Sequence, residues 1–459
     1  MKRTLVKCGW LISMDASIGD LKDAELLIVD DRIAAVGKSL NAEYDELIDA
    51  SRMIVMPGLV NAHHHTFQAV MRSLGSEWLR GEYFRLMYAG MSTRFTPQDN
   101  YLGNLVGSLG QIDSGVTTIA DYCHNLTSLE MAERSVDGLV ESGIRAIFVH
   151  GDGVAPSHLR DANPPEKRLH PRERVDALRK GRFTSNDARV TLGLGIMGPD
   201  FGTIEASIAN YRMALDYDVW ISSHYTRPKS KRVTPDGYWR LAELGLLRAG
   251  QNAVHCNFLE DDEFKLLADH GLTFTATALV ELHGYPTPTV IGHCRAAGVM
   301  PSIGVDTEIL AAGGMFREMN ACLLFERNTQ HRVRRQKKEP PFDRMPVTSR
   351  EALQWATIGG AMAMGLEDRI GSLTPGKKAD VTMLRADDLN LWPVHDPIFA
   401  VAEQAHPGNV DTVLIDGEAH KRGGRLVFAQ DVLAKRIVEI SDAARRIQRE
   451  AGFELAPAA

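Results

Sequence analysis

Eight short apolar runs alternate with amphipathic, helix-like stretches through the middle of the chain, and this alternation limits the possible folds more than any other feature. Such alternation is typical of parallel βα units. The interval from His63 to Asp306 is close to the ~250 residues of an eight-stranded barrel. The sequence therefore predicts an α/β fold, a (β/α)8 TIM-type barrel. Its strands are expected over Met53–Val60, Thr117–Tyr122, Arg145–His150, Arg189–Ile196, Asp218–His224, Asn252–Cys256, Leu272–Thr275 and Met300–Asp306.

Strand-like segments also flank the predicted barrel at both ends of the chain. Asp, Gly and Asn turn signals separate them, and neither group is long enough to close a sandwich alone. We therefore expect both termini to pair into one small composite β-sandwich domain. The segments are Leu5–Ile12, Ala24–Val29, Arg32–Gly37, Ala379–Leu384 and Val410–Gly417.

The predicted boundaries are 1–56 and 371–430 for the two parts of the sandwich, 57–370 for the barrel and 431–459 for a C-terminal helix and tail. Apolar residues at helical spacing predict that helix over Asp431–Glu450. Its apolar face fits docking on the protein's own surface better than dimerisation. A homo-oligomer is nevertheless expected for the protein as a whole.

Two polar segments are predicted to be loops. Residues 151–167 are rich in Asp and Pro and fit a loop at the barrel mouth. The cation-rich segment Arg332–Lys338 fits a solvated loop after the eighth strand, and attraction of an anionic substrate is the alternative.

Composition and charge exclude several classes of protein. The formal net charge is −7, whereas nucleic-acid binding normally needs a concentrated basic surface, so no nucleic-acid partner is expected. No run approaches 18 apolar residues, so no membrane partner is expected either. The five cysteines stand singly, without a Cys-x-x-Cys pair, which argues against a disulfide scaffold and a cysteine zinc site. A reducing cytoplasm is the expected location.

A His-x-His motif stands at the end of the first predicted barrel strand, within Pro57–His65. Alternate residues of an extended chain share a face, so His63 and His65 can both point into the barrel mouth while His64 points away. Two imidazoles held in this way form half of a metal site. Surface or stacked loop histidines would give the same string.

Three further polar residues fall at predicted strand ends. Active sites of such barrels lie where strands end and loops begin. For each of these residues taken alone, the alternative to metal binding is a partly buried polar side chain whose hydrogen bonds are satisfied within the protein. Together, histidines and a carboxylate form a nitrogen and oxygen donor set that suits zinc, iron(II) or manganese. The three residues are His224, His255 and Asp306.

The fourth predicted strand ends in Gly195-Ile196-Met197-Gly198 without a lysine. A carbamylated lysine bridging two metals is therefore not expected. One divalent metal ion, most simply zinc, with iron or manganese as alternatives, is the predicted cofactor.

Several motifs together resemble the amidohydrolase superfamily, specifically its mononuclear cytosine/adenosine-deaminase-like and triazine-hydrolase (chlorohydrolase) branch. The resemblance runs nearly end to end and implies a (β/α)8 barrel with a composite β-sandwich. The motifs are Pro57–His65, Gly115–Asp121, Ala356–Ala361 and Ile370–Asp380.

By this resemblance, four residues match the family's metal-binding positions, and His255 matches the histidine that polarises the substrate or the attacking water. The family's His-x-x-Glu motif, whose glutamate shuttles protons, is His224-Tyr225-Thr226-Arg227 here. An arginine cannot shuttle protons, although it can bind a carboxylate or an oxyanion. The four metal-binding positions are His63, His65, His224 and Asp306.

Other residues are candidates for substrate contact. Glu281 and His283 alternate at the end of the seventh predicted strand and would share a face, with a loop salt bridge or cap as the alternative. His124 follows the second strand. Trp78, together with Tyr83 and Phe84, follows the first strand and could wall an aromatic substrate, with core packing as the alternative.

The predicted function is metal-dependent hydrolysis of a C–N or C–Cl bond in a small nitrogen heterocycle. Asp306 would accept a proton from the attacking water, and His255 would stabilise the oxygen that becomes negative. An amide, urea or carbamate-type hydrolase acting on an aryl or anionic substrate is the first alternative, because Arg227 could hold a carbonyl or carboxylate. A metal-free binding protein is the second.

Overall fold

A computed structural model describes residues 1–151 and 167–453 of the protein. Eight parallel strands form the predicted barrel and are hydrogen-bonded to one another in sequence order. These strands are β5 (Leu59–His64), β6 (Val116–Cys123), β7 (Arg145–Gly151), β8 (Val190–Ile196), β9 (Trp220–Tyr225), β10 (Asn252–His255), β11 (Thr273–Ala276) and β12 (Ser302–Ile303).

The barrel closes where the chain beyond β12 meets β5. The backbone N–H of Asp306 donates to the carbonyl of His63 at 3.0 Å, and the N–H of His65 donates to the carbonyl of Asp306 at 2.7 Å. Gly304 permits this approach, because a Cβ atom there would lie 2.6 Å from backbone atoms of His63. Closure therefore places Asp306 beside the His-x-His motif.

Helices follow the barrel strands and cover the outside of the barrel. The α-helical segments are α1 (Arg80–Glu82), α2 (Pro97–Asp113), α3 (Leu129–Ser142), α4 (Arg172–Gly181), α5 (Gly198–Phe201), α6 (Ile204–Asp216), α7 (Gly237–Glu243), α8 (Asp261–Asp269), α9 (Ala278–Gly284), α10 (Ile291–Ala297), α11 (Met315–Gln336), α12 (Ser349–Trp355), α13 (Ile358–Ala363), α14 (Pro397–Phe399) and α15 (Gln430–Glu450).

The loop predicted over Arg332–Lys338 is wrong for most of its length. Helix α11 continues through Gln336, because Arg and Gln are good helix formers and basic residues are favoured near a helix C-terminus. The barrel-mouth loop predicted over residues 151–167 falls almost wholly outside the described residues.

The terminal strands form one composite β unit, as predicted. They hydrogen-bond into a mixed eight-stranded sheet in the order β16-β15-β14-β13-β4-β1-β2-β3. The sheet curls over its own apolar core, so that Gly417, after β14, comes within contact distance of the backbone of Asp30, after β2. The strands are β1 (Arg3–Ile12), β2 (Asp20–Val29), β3 (Arg32–Gly37), β4 (Glu46–Pro57), β13 (Val381–Arg385), β14 (Val410–Ile415), β15 (Glu418–Arg422) and β16 (Arg425–Leu426).

The barrel strand predicted over Met53–Val60 is wrong in its bounds. Residues up to Pro57 belong to β4, which pairs with β13 in the terminal sheet, and the first barrel strand starts at Leu59. The chain changes sheets at Gly58, where any Cβ atom would clash with the side chain of Thr117. The apolar run is continuous across this point, so the break is invisible to hydrophobic periodicity.

Helix α15 lies where the sequence predicts a C-terminal helix, and it docks on the barrel side of the molecule. Ile447 is fully buried, and Arg446 pairs with Asp99 of α2. Ile437 and Val438 remain exposed. Within the described residues, no helix is long and apolar enough to cross a membrane.

Candidate active site

Four side chains from three places in the barrel converge at its mouth. Nε2 of His65 lies 3.2 Å from Oδ1 of Asp306, and Nε2 of His63 lies 3.7 Å from the same oxygen. Nε2 of His224 is 3.2 Å from Nε2 of His63. His64 lies on the other side of β5, where its Nδ1 is 3.2 Å from the carbonyl oxygen of Asp306.

Backbone conformation helps to aim these side chains. Asp306 has φ 58° and His255 has φ 71°, both in the left-handed region that non-glycine residues seldom adopt. Such a conformation costs on the order of 1–3 kcal/mol per residue and persists only where surrounding contacts enforce it. His255 ends β10 and Asp306 follows β12, so both stand at the same end of the barrel, next to the convergent histidines.

The donor set fits a divalent metal ion. Two groups, each of three residues, have potential ligand atoms that all lie within 4.8 Å of one another: His63, His65 and Asp306, and His63, His224 and His255. Burial lowers the pKa of His63 to about 3, which leaves the imidazole neutral, the form that binds metals. Imidazole and carboxylate together are typical ligands of zinc and similar ions.

His255 is held from behind by a buried carboxylate. Its Nδ1 lies 3.3 Å from Oε1 of Glu281 and 3.0 Å from the hydroxyl of Thr277, while its Nε2 lies 3.8 Å from Oδ2 of Asp306. Glu281 also accepts hydrogen bonds from the backbone N–H of Thr277 at 2.7 Å and from the amide of Asn257 at 3.1 Å. The hydrogen bonds of this carboxylate therefore hold His255 and the neighbouring residues Thr277 and Asn257 in place.

The expectation that Glu281 and His283 share a face is wrong. Both lie on helix α9, where residues two apart point in nearly opposite directions, rather than on a strand. His283 lines the cavity at the barrel mouth, and its Nε2 is 2.8 Å from the carbonyl oxygen of Trp78. Glu281 is 1% exposed and lies behind His255, outside the cavity lining.

A cavity of about 1130 Å³ opens above the convergent histidines. His124 lines it, with its ring centroid 4.4 Å from that of His65. Aromatic rings form much of the remaining wall, which suits a planar ligand. The aromatic lining residues are Tyr83, Phe84, Tyr88, Tyr122, Phe201, Phe258 and Tyr285.

Trp78 does not belong to that lining. Its side chain is in the hydrophobic core and packs edge-on against Phe453, with ring centroids 5.6 Å apart. The turn at Gly75, whose carbonyl accepts the N–H of Trp78 at 3.0 Å, directs the indole inward. The prediction of substrate contact by Trp78 is therefore wrong, and core packing, the alternative, describes it.

Arg227 lines the cavity, and the chain around it is fixed by Asp200. Oδ2 of Asp200 accepts the backbone N–H groups of Thr226 at 2.7 Å and of Arg227 at 2.8 Å. The guanidinium of Arg227 lies over the ring of Phe201, 4.3 Å from its centroid, and donates to the carbonyl of Asp200 at 3.2 Å. Its side chain forms no ion pair with a carboxylate of the described residues.

The cavity contains residues that the sequence did not single out, notably Arg80 and Tyr285. Arg80 donates to the carbonyl of Thr226 at 2.9 Å and lies 5.2 Å from the ring centroid of Tyr285. Tyr285 stands two residues beyond His283, so its proximity to a candidate was a usable signal. Arg80 and Thr226 are far apart in the sequence, and only the closed barrel brings them together.

The sequence model of the amidohydrolase family matches residues 54–420. The chain belongs to the amidohydrolase family. Membership in this family makes it a metal-dependent hydrolase that acts on carbon–nitrogen bonds, and the alternative of a metal-free binding protein is set aside.

Similar proteins cover nearly the whole chain. A 5-methylthioadenosine/S-adenosylhomocysteine deaminase of Symbiobacterium thermophilum is 26% identical over 432 residues, 91% of this chain and 93% of that protein. The structure of the zinc complex of an atrazine chlorohydrolase from Arthrobacter aurescens has a TM-score of 0.82 at 21% identity, covering 96% of this chain and 100% of that chain. A zinc-bound adenosine deaminase from Xanthomonas campestris has a TM-score of 0.80 at 19% identity, covering 97% and 98%. The two structures share the fold with this chain.

Proposed function

We propose that this enzyme cleaves a C–N or C–Cl bond of a small nitrogen heterocycle by hydrolysis. The observation that carries the proposal is the convergence of His63, His65, His224 and Asp306 on one point beneath a largely aromatic cavity. Relatives with deaminase names and fold neighbours that include an atrazine chlorohydrolase support a heterocyclic substrate. A small heterocyclic molecule also fits within the volume of this cavity.

In this proposal the four convergent residues hold one divalent ion, with zinc favoured by the donor set and by the zinc in the two neighbouring structures. The ion supplies a Lewis acid that makes water nucleophilic at neutral pH. Oδ2 of Asp306, which faces His255 rather than the other histidines, accepts the proton of the attacking water. Nε2 of His255 donates to the oxygen that becomes negative.

An amide, urea or carbamate-type hydrolase is the second candidate. Among the described residues that line the cavity, Asp306 is the only carboxylate, and Arg227 occupies the position of the family's glutamate. Proton delivery to a ring nitrogen therefore lacks its usual carboxylate. Cleavage of a carbonyl C–N bond needs no ring protonation, which favours this candidate on that single point.

Metal analysis tests the proposed site. The purified protein should contain about one equivalent of divalent metal, and a His63→Ala/His65→Ala variant should lose it. His255→Ala should keep the metal and lose at least about 10²-fold in turnover, the scale for one electrostatic stabiliser. His270→Ala, a partly buried histidine of the outer helices, is the matched control. Two equivalents of metal, or metal retained by the double variant, would contradict the site.

A substrate screen tests the reaction. The metal-replete enzyme should release ammonia, amine or chloride from at least one aminated or chlorinated heterocycle. Release from aryl amides, ureas or carbamates alone would replace the first candidate by the second.

A further inference from the structure

The described wall of the cavity is strongly unbalanced in charge. Asp306 is its only carboxylate, and that group belongs to the candidate metal site. Five cationic side chains line the same cavity. They are Arg80, Arg85, Arg168, Arg227 and Lys231.

Four of these cations lack a carboxylate partner within 4.0 Å among the described residues: Arg80, Arg85, Arg227 and Lys231. Arg85 and Lys231 are exposed at the rim, whereas Arg80 and Arg227 are partly buried. Cations in a cavity with low-dielectric walls raise the local concentration of anions.

Arg80 and Arg227 are held on the same short stretch of chain. Arg80 donates to the carbonyl of Thr226 at 2.9 Å and also to its hydroxyl, directly before Arg227. Burial lowers the pKa of Arg227, and the charge of Arg80 lowers it further, although Asp200 opposes both effects. The fold therefore keeps two like charges close together.

Asp200 does not neutralise this pair. Its Oδ1 lies 3.1 Å from Nε of Arg232 and accepts the hydroxyl of Tyr238, while its Oδ2 is occupied by two backbone N–H groups. Asp200 is 1% exposed and does not line the cavity. Its negative charge is therefore paired with Arg232, Tyr238 and backbone N–H groups on the buried side of the loop.

Aromatic rings fix the guanidinium groups without compensating their charge. Arg80 lies 5.4 Å from the ring centroid of Phe84 and 5.2 Å from that of Tyr285, and Arg227 stacks on Phe201. Stacking leaves the in-plane N–H groups of a guanidinium free of the ring. Nε and Nη2 of Arg227 make no hydrogen bond with a described residue and can donate to a planar acceptor. A carboxylate meets that requirement through two parallel hydrogen bonds.

We propose that the substrate is an aromatic or heteroaromatic molecule bearing a carboxylate, and that Arg80 and Arg227 bind this carboxylate while Arg85 and Lys231 attract it at the rim. This inference rests on the proposed hydrolase function, because it names the class of molecule that enters the same cavity. The aromatic wall of the cavity contacts the ring of the substrate, and the arginine side chains bind its carboxylate.

The test compares two probes of similar shape on the metal-replete protein by calorimetry: 2-naphthoate and the neutral ketone 2-acetonaphthone. Naphthoate should bind at least about tenfold more tightly, the lower end for hydrogen bonds to charged groups. Arg227→Met should remove that advantage, and Arg85→Met should reduce it and its salt dependence. Arg85 makes no hydrogen bond through its side chain with a described residue, so its replacement removes no such bond from the fold.

Lys229→Met is the matched control, because Lys229 belongs to the same turn as Lys231 but lies over Trp239 outside the cavity. It should bind naphthoate like the wild type. Equal affinity for the two probes overturns the inference. So does naphthoate binding that is unchanged in Arg227→Met and Arg85→Met, because the carboxylate would then bind elsewhere, such as at the metal.

The outcome of the binding test is independent of the outcome of the substrate screen. Hydrolysis of neutral heterocycles by a protein that does not prefer naphthoate overturns the inference and leaves the hydrolase proposal standing. Naphthoate binding that depends on Arg227, in a protein that hydrolyses none of the screened compounds, supports the anion site and contradicts the proposed function.

Discussion

Arg145→Met should destabilise the protein strongly, because one buried guanidinium joins the barrel to the terminal sheet. Arg145 opens β7, and its Nε and Nη2 donate to the two carboxylate oxygens of Asp380 at 2.8 and 3.1 Å. Nη2 also pairs with Asp416, beyond β14. Burial disfavours the charge of Arg145, but both aspartates outweigh this effect and raise its pKa.

The loss of stability expected for Arg145→Met follows from the burial of the Arg145–Asp380 ion pair. The side chains of Arg145 and Asp380 are 3% and 2% exposed, so removing the cation leaves a buried carboxylate that keeps, among the described residues, only the hydrogen bond from the N–H of Asp416. Breaking a buried ion pair in this way costs about 3–5 kcal/mol. Arg189→Met is the matched control, because Arg189 pairs with the same Asp416 but is 32% exposed. Its loss should cost about 0–1 kcal/mol.

Equilibrium urea unfolding of metal-replete protein, followed by tryptophan fluorescence, measures both changes. The variant Arg145→Met/Asp380→Leu should be more stable than Arg145→Met alone, since it removes the stranded charge as well. Where Arg145→Met yields little folded protein, a clearly higher yield of folded Arg145→Met/Asp380→Leu is the corresponding result. A cost for Arg145→Met no larger than that for Arg189→Met, or a double variant less stable than the single one, would refute the reasoning.

Two further predictions concern buried glutamates. Glu281→Gln should lower kcat by about 10–100-fold with little change in KM or metal content, because it weakens the group that orients His255; steady-state kinetics with wild-type kcat would contradict this. Burial raises the pKa of Glu318 from 4.5 to about 8, so the folded state holds a proton that the unfolded chain releases. Stability should therefore fall as pH rises from about 4.5 to about 8. Glu318→Gln should flatten this fall in urea unfolding at pH 5 and pH 8, and parallel losses in both proteins would refute the assignment.

The barrel and its convergent residues were predictable because they follow from local patterns. Each of His63, His224 and Asp306 stands near the end of a barrel strand, and parallel strands bring their ends to one rim. Glu281 and His283 were misplaced for a local reason as well. Helix α9 starts two residues after β11 ends, and a short apolar segment does not distinguish a period of two from one of 3.6.

Contacts between distant parts of the chain were beyond such reasoning. The Arg145–Asp380 pair joins residues from the barrel and from the second terminal segment, and nothing in the Ile370–Asp380 motif indicates Arg145 as the partner of its last residue. The break at Gly58 depends on the side chain of Thr117, which belongs to another strand. Only the packed structure contains these relations.

The orientation of Arg227 shows the same limit inside the active site. The residue stands two positions beyond β9, where strand alternation no longer fixes the direction of a side chain. Asp200, from the segment after β8, captures the backbone N–H groups of Thr226 and Arg227, and Phe201 then receives the guanidinium plane. Because Asp200 is itself held by Arg232 and Tyr238, the direction of Arg227 is set by a buried network. A different residue at position 200 would change the cationic side of the cavity without altering one residue of the His224–Arg227 motif.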